Sequence, residues 1–240
     1  MKFNTMFKQY FPMFLVPIVL LGAGCSQPPL LEVQPVVEEE AMIDSGVQPE
    51  AMMETLFEDG NYIVVPASET QTATSVAWNA QKRVGASHNG TVEINEAALL
   101  VEKGEIVGGT IVVDMNTIVN LDLTDEKPNT MLVNHLKSED FFSVETYPTA
   151  TFAISSVTKI EGGMYDVTGD MTIKGIENEI TFTATIEQDE SGLQVNGTAV
   201  LDRTLWDVRY GSDKFFDNLG DGLIEDAFTL TFDMLFVVAQ

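Results

Sequence analysis

Most of the chain beyond about residue 60 alternates between apolar and polar residues with a period of two. In the segment MYDVTGDMTIK, residues 164–174, Tyr165, Val167, Gly169, Met171 and Ile173 fall on one face. This period is typical of a half-buried β-strand, because successive side chains point to opposite faces of a sheet. Further strands with the same pattern are predicted at 107–115, 149–155, 179–187, 193–202 and 227–234, and shorter ones at 62–65, 74–79, 91–94 and 98–102.

Turn residues separate the predicted strands. Glu-Lys-Gly at 102–104, Glu-Gly-Gly at 161–163, Lys-Gly at 174–175 and Glu-Ser-Gly at 190–192 each lie between two alternating segments. Glycine at such positions permits the backbone conformations of a tight hairpin. The sequence therefore predicts an all-β domain of eight or more antiparallel strands in hairpin order, which is either a sandwich or an up-and-down barrel.

Small residues recur on the apolar faces of these strands. Gly109, Gly169, Ala184, Gly197 and Ala199 are in phase with the large apolar residues. A solid core favours bulky side chains there, whereas small residues on the inner face of a barrel leave room for a ligand. Bends or bulges at barrel corners are the alternative explanation. We predict an apolar cavity, lined in addition by Ile111, Val113, Phe152, Ile154, Val167, Met171, Phe182, Phe228, Leu230 and Phe232.

The first 24 residues resemble a secretory signal peptide. Lys2 and Lys8 are their only charged residues, an apolar run from Phe11 to Leu21 follows, and small residues precede Cys25. The run is too short for a transmembrane helix. Because LLGAGCS resembles a lipobox, Cys25 is predicted to be the acylated first residue of a lipoprotein, and the serine after it resembles an outer-membrane address. The alternative is a chance cysteine behind an ordinary signal peptide.

Residues 25–58 are predicted to be a linker and residues 59–240 the barrel domain. The linker is acidic, contains prolines and has no lysine or arginine. Such a composition without an apolar face is typical of a tether. The net charge of −25 excludes a general attraction to nucleic acid, and it opposes docking of the whole surface on anionic lipid. Attachment to a membrane is therefore expected through the acylated end.

Five segments carry a resemblance to a known family. They are GASHNGTVEI at 85–94, GGTIVVDMNTI at 108–118, HLKSEDFFSVETYPTATF at 135–152, YDVTGDMTIKGIENEITF at 165–182 and GSDKFFDNLGDGLIEDAFTL at 211–230. In this order they resemble the YceI-like domain proteins across residues 60–240. The resemblance implies an extended eight-stranded, antiparallel, lipocalin-like β-barrel whose interior holds a long isoprenoid-type lipid, and it implies export to the periplasm.

The segment from His135 to Pro148 is predicted to be a lid with a short helical part. Met131 to Lys137 has apolar residues near one side of a helical turn, and Phe141 and Phe142 follow. An apolar segment between two long strands is placed to cover a barrel mouth. We expect both phenylalanines to face the cavity.

Three residues are candidates for contact with a ligand headgroup: His88, His135 and Arg203. For the histidines, hydrogen bonds to loop backbone are the simpler expectation. For Arg203 a surface ion pair is the alternative. Two histidines 47 residues apart and one cysteine form no recognisable zinc site. No nucleophile elbow, phosphate loop or dinucleotide fingerprint is present, so no cofactor or metal is predicted.

These observations predict a non-enzymatic binding protein. It is exported, anchored by lipid in the cell envelope, and holds a polyprenyl or quinone-like lipid for transport, storage or sequestration. Two other functions remain open. One is an enzyme acting on a lipid or quinone, with His88, His135 and Asp140 as acid–base candidates. The other is an envelope stress-response protein whose cavity is incidental to its interactions.

Overall fold

The computed structural model describes residues 57–64 and 75–239, so the predictions for the signal peptide, for Cys25 and for most of the linker lie outside the described residues. Nine strands and one α-helix make up the domain. In chain order they are β1 (Gly60–Val64), β2 (Ser75–Lys82), β3 (Ser87–Glu102), β4 (Glu105–Asn120), α1 (Glu126–Lys137), β5 (Thr149–Lys159), β6 (Met164–Ile173), β7 (Ile176–Asp189), β8 (Gly192–Asp202) and β9 (Ile224–Val238).

Strands β2 to β9 form a closed antiparallel barrel. Each strand pairs with the next along the chain, and β9 returns to pair with β2 from Val76↔Phe232 to Lys82↔Ile224. Closure leaves no sheet edge unpaired, which removes the hazard of edge-to-edge aggregation. The prediction of an eight-stranded antiparallel barrel is confirmed.

Strand β1 is an addition that completes one wall of the barrel. Strand β2 has 8 residues whereas its neighbour β3 has 16, so half of β3 extends beyond it. Strand β1 occupies that position, pairing with β3 at Tyr62↔Leu99 and with β9 at Tyr62↔Val238. Strands β1 and β2 together therefore fill the position between β3 and β9 that one long strand would occupy.

Two irregularities explain where the strand predictions differ from the structure. The predicted strands 91–94 and 98–102 are one strand, β3, with a register shift between Ile94 and Glu96 that interrupts the alternation. In β4 a second shift lies opposite Leu100, and it makes Val107 exposed and Ile106 buried. The alternation in residues 107–115 puts Val107 in phase with Gly109 and Ile111 and so predicts that it faces inward. A β-bulge adds one residue to a strand, so it reverses the facing of the residues on either side.

The connections divide between the two ends of the barrel. We call one end the helical end; it consists of the connections 83–86, 121–148, 174–175 and 203–223, which include α1. The other, the turn end, has among the described residues the short connections 103–104, 160–163 and 190–191. Helix α1 begins at Glu126, five residues before the predicted helical turn, and ends at Lys137 as predicted. No helix in the described residues is long and apolar enough to span a bilayer.

Candidate functional site

The barrel encloses an apolar cavity of about 190 Å³. Its walls come from all eight barrel strands, and the connections of the helical end add side chains from 136 to 142 and at 203 and 208. Most lining side chains are aliphatic or aromatic, and Asn79, Thr151 and Arg203 are the polar residues among them. An enclosed space with so few polar groups suits an apolar guest.

Thirteen of the seventeen residues predicted for the cavity lie in its lining. They are Ile111, Val113, Phe141, Phe142, Phe152, Ile154, Val167, Met171, Phe182, Ala199, Phe228, Leu230 and Phe232. The lining also includes residues that were not predicted. Trp78, Val92 and Leu99 on β2 and β3 are three of them. Their strands were recognised only as short segments, so their faces could not be assigned before the register was known.

The remaining four predicted residues, Gly109, Gly169, Ala184 and Gly197, do not line the cavity, and the expectation that they leave open space is wrong. A Cβ at Gly197 would lie 2.5 Å from the ring of Phe232 and 3.3 Å from Ala184 Cβ, and one at Gly169 would lie 2.8 Å from the ring of Phe152. A Cβ at Gly109 would be 2.7 Å from Leu99 Cδ2.

The small residues instead make room for a row of phenylalanine rings. The ring centroids of Phe152 and Phe182 are 5.4 Å apart, and those of Phe182 and Phe232 are also 5.4 Å apart. The outer rings of the row lie on Gly169 and Gly197. Aromatic pairs at this spacing attract one another beyond the effect of buried area. The glycines thus leave space for the rings that form the aromatic wall of the cavity.

The lid segment covers the helical end of the cavity. Leu136 in α1 and Phe141 and Phe142 after it all line the cavity, as the sequence predicted for the two phenylalanines. The segment 138–144 is held by backbone hydrogen bonds, including Ser143 N–H to Ser138 O at 2.8 Å and Val144 N–H to Lys137 O at 2.9 Å. Its conformation is therefore fixed by its own backbone, and Phe141 is buried.

Arg203 lies in the cavity wall with only 5% of its surface exposed, so the alternative of a surface ion pair is wrong. Its guanidinium donates to Val208 O at 2.7 Å, Glu225 O at 3.1 Å and Ile224 O at 3.1 Å, and Nη2 lies 3.3 Å from Asp226 Oδ1. Desolvation lowers the pKa of Arg203, and the nearby carboxylates oppose that effect. Most of its donors are already used within the protein.

The two histidines lie outside the cavity lining. His88 Nδ1 is 2.8 Å from Asp122 Oδ2, and the backbone N–H of Asn89 donates to the other oxygen of that carboxylate. His135 in α1 lies 3.2 Å from Asp140 Oδ2, with its ring edge-on to Phe141 and to Tyr210 at centroid distances of 4.9 and 4.5 Å. Both histidine rings pair with carboxylates, whereas hydrogen bonds to loop backbone had been expected.

The two tryptophans differ in how their indole nitrogens are satisfied. Trp206, completely buried behind β6, donates from Nε1 to Met171 O at 2.9 Å. Trp78 lies against the cavity, and its buried Nε1 has no acceptor among residues 57–64 and 75–239. An unpaired buried donor is uncommon in folded proteins. The site thus contains one polar group that the protein itself leaves unpaired.

The described residues offer no cluster of three metal-ligating side chains. His135, Ser138 and Asp140 are close in sequence, but Ser138 Oγ donates to His135 O and not to a ring nitrogen. A nucleophile must be hydrogen-bonded to its base for the chemistry of a triad. The arrangement is the start of the lid, with hydrogen bonds that hold its backbone.

Known proteins resemble the chain in sequence. The profile of the YceI-like domain matches residues 65–236. Protein YceI of Escherichia coli O157:H7 is 44% identical over 50 residues, which cover 21% of this chain and 26% of that protein. A UPF0312 protein of Staphylococcus aureus strain N315 is 42% identical over 71 residues, covering 28% and 39%. These alignments span less than half the length of the curated relatives.

Two solved structures share the fold. BcnA of Burkholderia cenocepacia aligns with a TM-score of 0.55 at 22% identity, covering 68% of this chain and 96% of that one. A polyisoprenoid binding domain from Saccharophagus degradans aligns with a TM-score of 0.52 at 11% identity, covering 76% and 100%. The profile match covers residues 65–236, and these residues include the β2–β9 pairing that closes the barrel. The chain belongs to the YceI-like domain family.

Proposed function

We propose that this protein binds a long, apolar, isoprenoid-type lipid inside its barrel and releases it unchanged. The observation that carries the proposal is the cavity inside the barrel, whose lining is almost entirely aliphatic and aromatic. Burial of apolar surface contributes about 25 cal/mol per Å², so a hydrocarbon tail gains affinity without polar contacts. The fold is shared with a polyisoprenoid binding domain from Saccharophagus degradans, which supports the same class of ligand.

The cavity volume indicates how such a ligand is accommodated. An apolar cavity of roughly 150 Å³ in another protein stays dry and binds benzene. The cavity here is of similar size, at about 190 Å³, and its walls are of similar character. A longer guest would meet the row of rings formed by Phe152, Phe182 and Phe232 along one wall and the lid phenylalanines at the helical end.

Export, anchoring through acylated Cys25 and an outer-membrane location facing the periplasm are parts of the same proposal. The composition of residues 1–25 supports them. The hydrogen bond that Ser138 Oγ donates to His135 O supports a structural role for this segment in the lid. Transport, storage and sequestration all require only that the ligand enters and leaves.

The direct test is extraction of the bound ligand. Protein purified from its native membrane without detergent exchange is extracted with organic solvent, and the extract is analysed by mass spectrometry. We expect a long isoprenoid at up to one equivalent per barrel. The variant Phe182→Trp, which enlarges the central ring of the row, is expected to lower that amount.

The matched control is Val200→Trp, which adds the same ring at an exposed site of the barrel wall outside the cavity. It should extract like the wild type. A straight-chain lipid in the extract would contradict the isoprenoid part of the proposal. A cavity that contains no lipid after native purification would contradict the binding function altogether.

A further inference from the structure

Exposed apolar side chains are concentrated at the helical end. The connections that define this end hold eight large apolar residues with substantial exposure: Val84, Leu121, Met131, Tyr147, Leu205, Tyr210, Phe215 and Phe216. All exposed tyrosine and phenylalanine side chains of the described residues are in this set. Phe215 and Phe216 are adjacent and are 42% and 49% exposed. Neither lines the cavity.

Contacts between the connections bring these residues to one surface. Tyr210 packs against His135 of α1, and Lys174 donates to Asp207 O at 2.7 Å. Arg83, beside Val84, forms an ion pair with Asp213 at 3.0 Å. Each contact joins a different connection to the segment 203–223. We call the eight residues together the apolar rim; they belong to the same end of the barrel as the lid.

The charge of this end differs from that of the rest of the barrel. The helical-end connections hold seven of the ten lysine and arginine residues in the described part of the chain, against ten acidic residues. The other described residues hold three lysines, Lys82, Lys103 and Lys159, against nineteen acidic residues. The helical end is therefore close to neutral, whereas the walls and the turn end are strongly acidic. An acidic envelope surface would therefore repel the walls and the turn end much more strongly than this end.

We infer that the apolar rim docks on the surface of a lipid bilayer, with the lid facing the membrane. Aromatic side chains favour the interface between headgroups and acyl chains, and Phe215 and Phe216 are placed to enter it. The exposed cations of this end, among them Lys127 and Arg209, approach lipid phosphates while the acidic walls stay in water. The inference rests on the proposed function in one respect: an isoprenoid ligand is itself dissolved in the bilayer, so docking places the lid at its source.

Depth-dependent fluorescence quenching tests this orientation. The full-length chain carries Cys25→Ser, so that an introduced cysteine is the only one. A fluorescent label is attached at Asp217→Cys, next to the two phenylalanines, or at Glu187→Cys near the turn end. Each protein is mixed with phosphatidylcholine vesicles whose acyl chains are brominated. We expect quenching of the label at 217 and none at 187.

Two double variants separate the rim from general hydrophobicity. Phe215→Ser with Phe216→Ser should abolish the quenching at 217. Val107→Thr with Val200→Thr removes two exposed apolar residues from the barrel wall and should leave it unchanged. Circular dichroism and thermal melting establish that each variant is folded. Equal quenching at both labels, no quenching at 217, or quenching that survives the serine pair would each overturn the inference.

A second copy of the chain is the competing occupant of the rim. Sedimentation equilibrium without lipid would then show a dimer that the serine pair dissociates, and that result would overturn docking on a bilayer. Isoprenoid loading from detergent solution keeps this test apart from the proposed function. The serine pair should load from detergent like the wild type, because neither phenylalanine contacts the cavity. A wild type that fails to load from detergent contradicts the proposed function, whatever the vesicles show.

Discussion

At the scale of single residues, the glycines of the inner face show how a small residue shapes a cavity without lining it. Gly169 and Gly197 accept the rings of Phe152 and Phe232, and the rings form the wall that a ligand meets. Their surroundings differ in one respect. A Cβ at Gly169 would also lie 2.3 Å from Ala153 O, whereas at Gly197 the close atoms all belong to side chains. Backbone cannot move aside as a ring can.

Alanine at these two positions should therefore give opposite results. Gly169→Ala forces two strands apart and is expected to lower the free energy of unfolding by about 1–3 kcal/mol. Gly197→Ala pushes the ring of Phe232 into the cavity, so ligand content should fall while stability changes less. Denaturant unfolding and solvent extraction of both variants measure the two effects. Equal stability losses with unchanged ligand content would contradict this explanation.

Asp122 supports a second prediction at the residue scale, about pH. Burial alone would raise the pKa of this carboxyl, but hydrogen bonds from the Asn89 backbone, His88 and Asn120 outweigh it and lower the pKa to about 2. A carboxyl whose pKa falls on folding stabilises the fold above its unfolded value, about 3.9, and loses that contribution as the pH falls toward 2.

Asp122→Asn should therefore be less stable than the wild type at neutral pH, and the difference should shrink between about pH 4 and pH 2. Denaturant unfolding over that range measures it. Glu187→Gln removes an exposed carboxylate of the barrel wall and reports the general effect of losing one negative charge. A difference between Asp122→Asn and wild type that does not change with pH would show that the aspartate acts by packing alone.

At the scale of elements, α1 and the turns after it form one unit that closes the barrel. The helix has no buried residue of its own, yet it places Leu136 over the cavity and positions Phe141 and Phe142 beside it. Helices of this length gain most of their stability from tertiary packing. Contacts of His135 with Phe141 and Tyr210 hold the unit against the segment 203–223. The lid is thus held by contacts with the segment 203–223, and its apolar side chains face the cavity.

Removing the apolar side chains of the lid that face the cavity should open it. Phe141→Ala with Phe142→Ala is expected to increase the rate of ligand loss, because the mouth loses two rings while the barrel strands are untouched. His135→Ala should have a smaller effect, since it removes only rim contacts. Stopped-flow exchange with a fluorescent isoprenoid measures both rates.

Val200→Ala serves as the control for the lid variants, because this exposed residue of the barrel wall lies outside the lid and does not line the cavity. Its exchange rate should equal that of the wild type. If His135→Ala abolished function while ligand retention stayed normal, a catalytic or proton-relay role for the histidine would replace the lid interpretation.

At the scale of the whole molecule, the barrel interior, the barrel walls and the helical end differ in their chemistry. The closed barrel keeps apolar surface away from water, its walls are acidic, and the helical end is the near-neutral face. The proposed acyl chain on Cys25 keeps the domain at the membrane, and the apolar rim adds a weak, reversible contact. Stable attachment of a lipid-modified protein commonly needs two such signals.

Cys25→Ser should consequently release most of the protein from the membrane fraction. The remaining rim contact alone is weak and reversible, so a washed membrane pellet should contain little of the variant. Fractionation followed by immunoblotting measures the distribution. Undiminished pelleting of Cys25→Ser would contradict the lipoprotein prediction and would point to a retained signal anchor or a bound partner.

The sequence by itself determined the all-β class, the hairpin order and most of the inner face. Residues 164–174 and 179–187 alternate without interruption, and every predicted inward residue in them is buried or partly buried. Alternation identifies faces reliably because the side-chain period of a strand is two wherever pairing is regular. The lid phenylalanines were predicted from a different signal, an apolar segment between two long strands.

Only the tertiary structure decided what depends on register and on contacts between distant segments. The bulge in β4 turned Val107 outward, and no local pattern marks which residue a bulge doubles. Whether Gly197 leaves a space or seats a ring depends on Phe232, a residue on another strand. Arg203 could be assigned to surface or cavity only when its acceptors at 208, 224 and 225 were in place. A one-dimensional pattern gives the side of the sheet on which a residue lies, and closure of the barrel decides what it meets there.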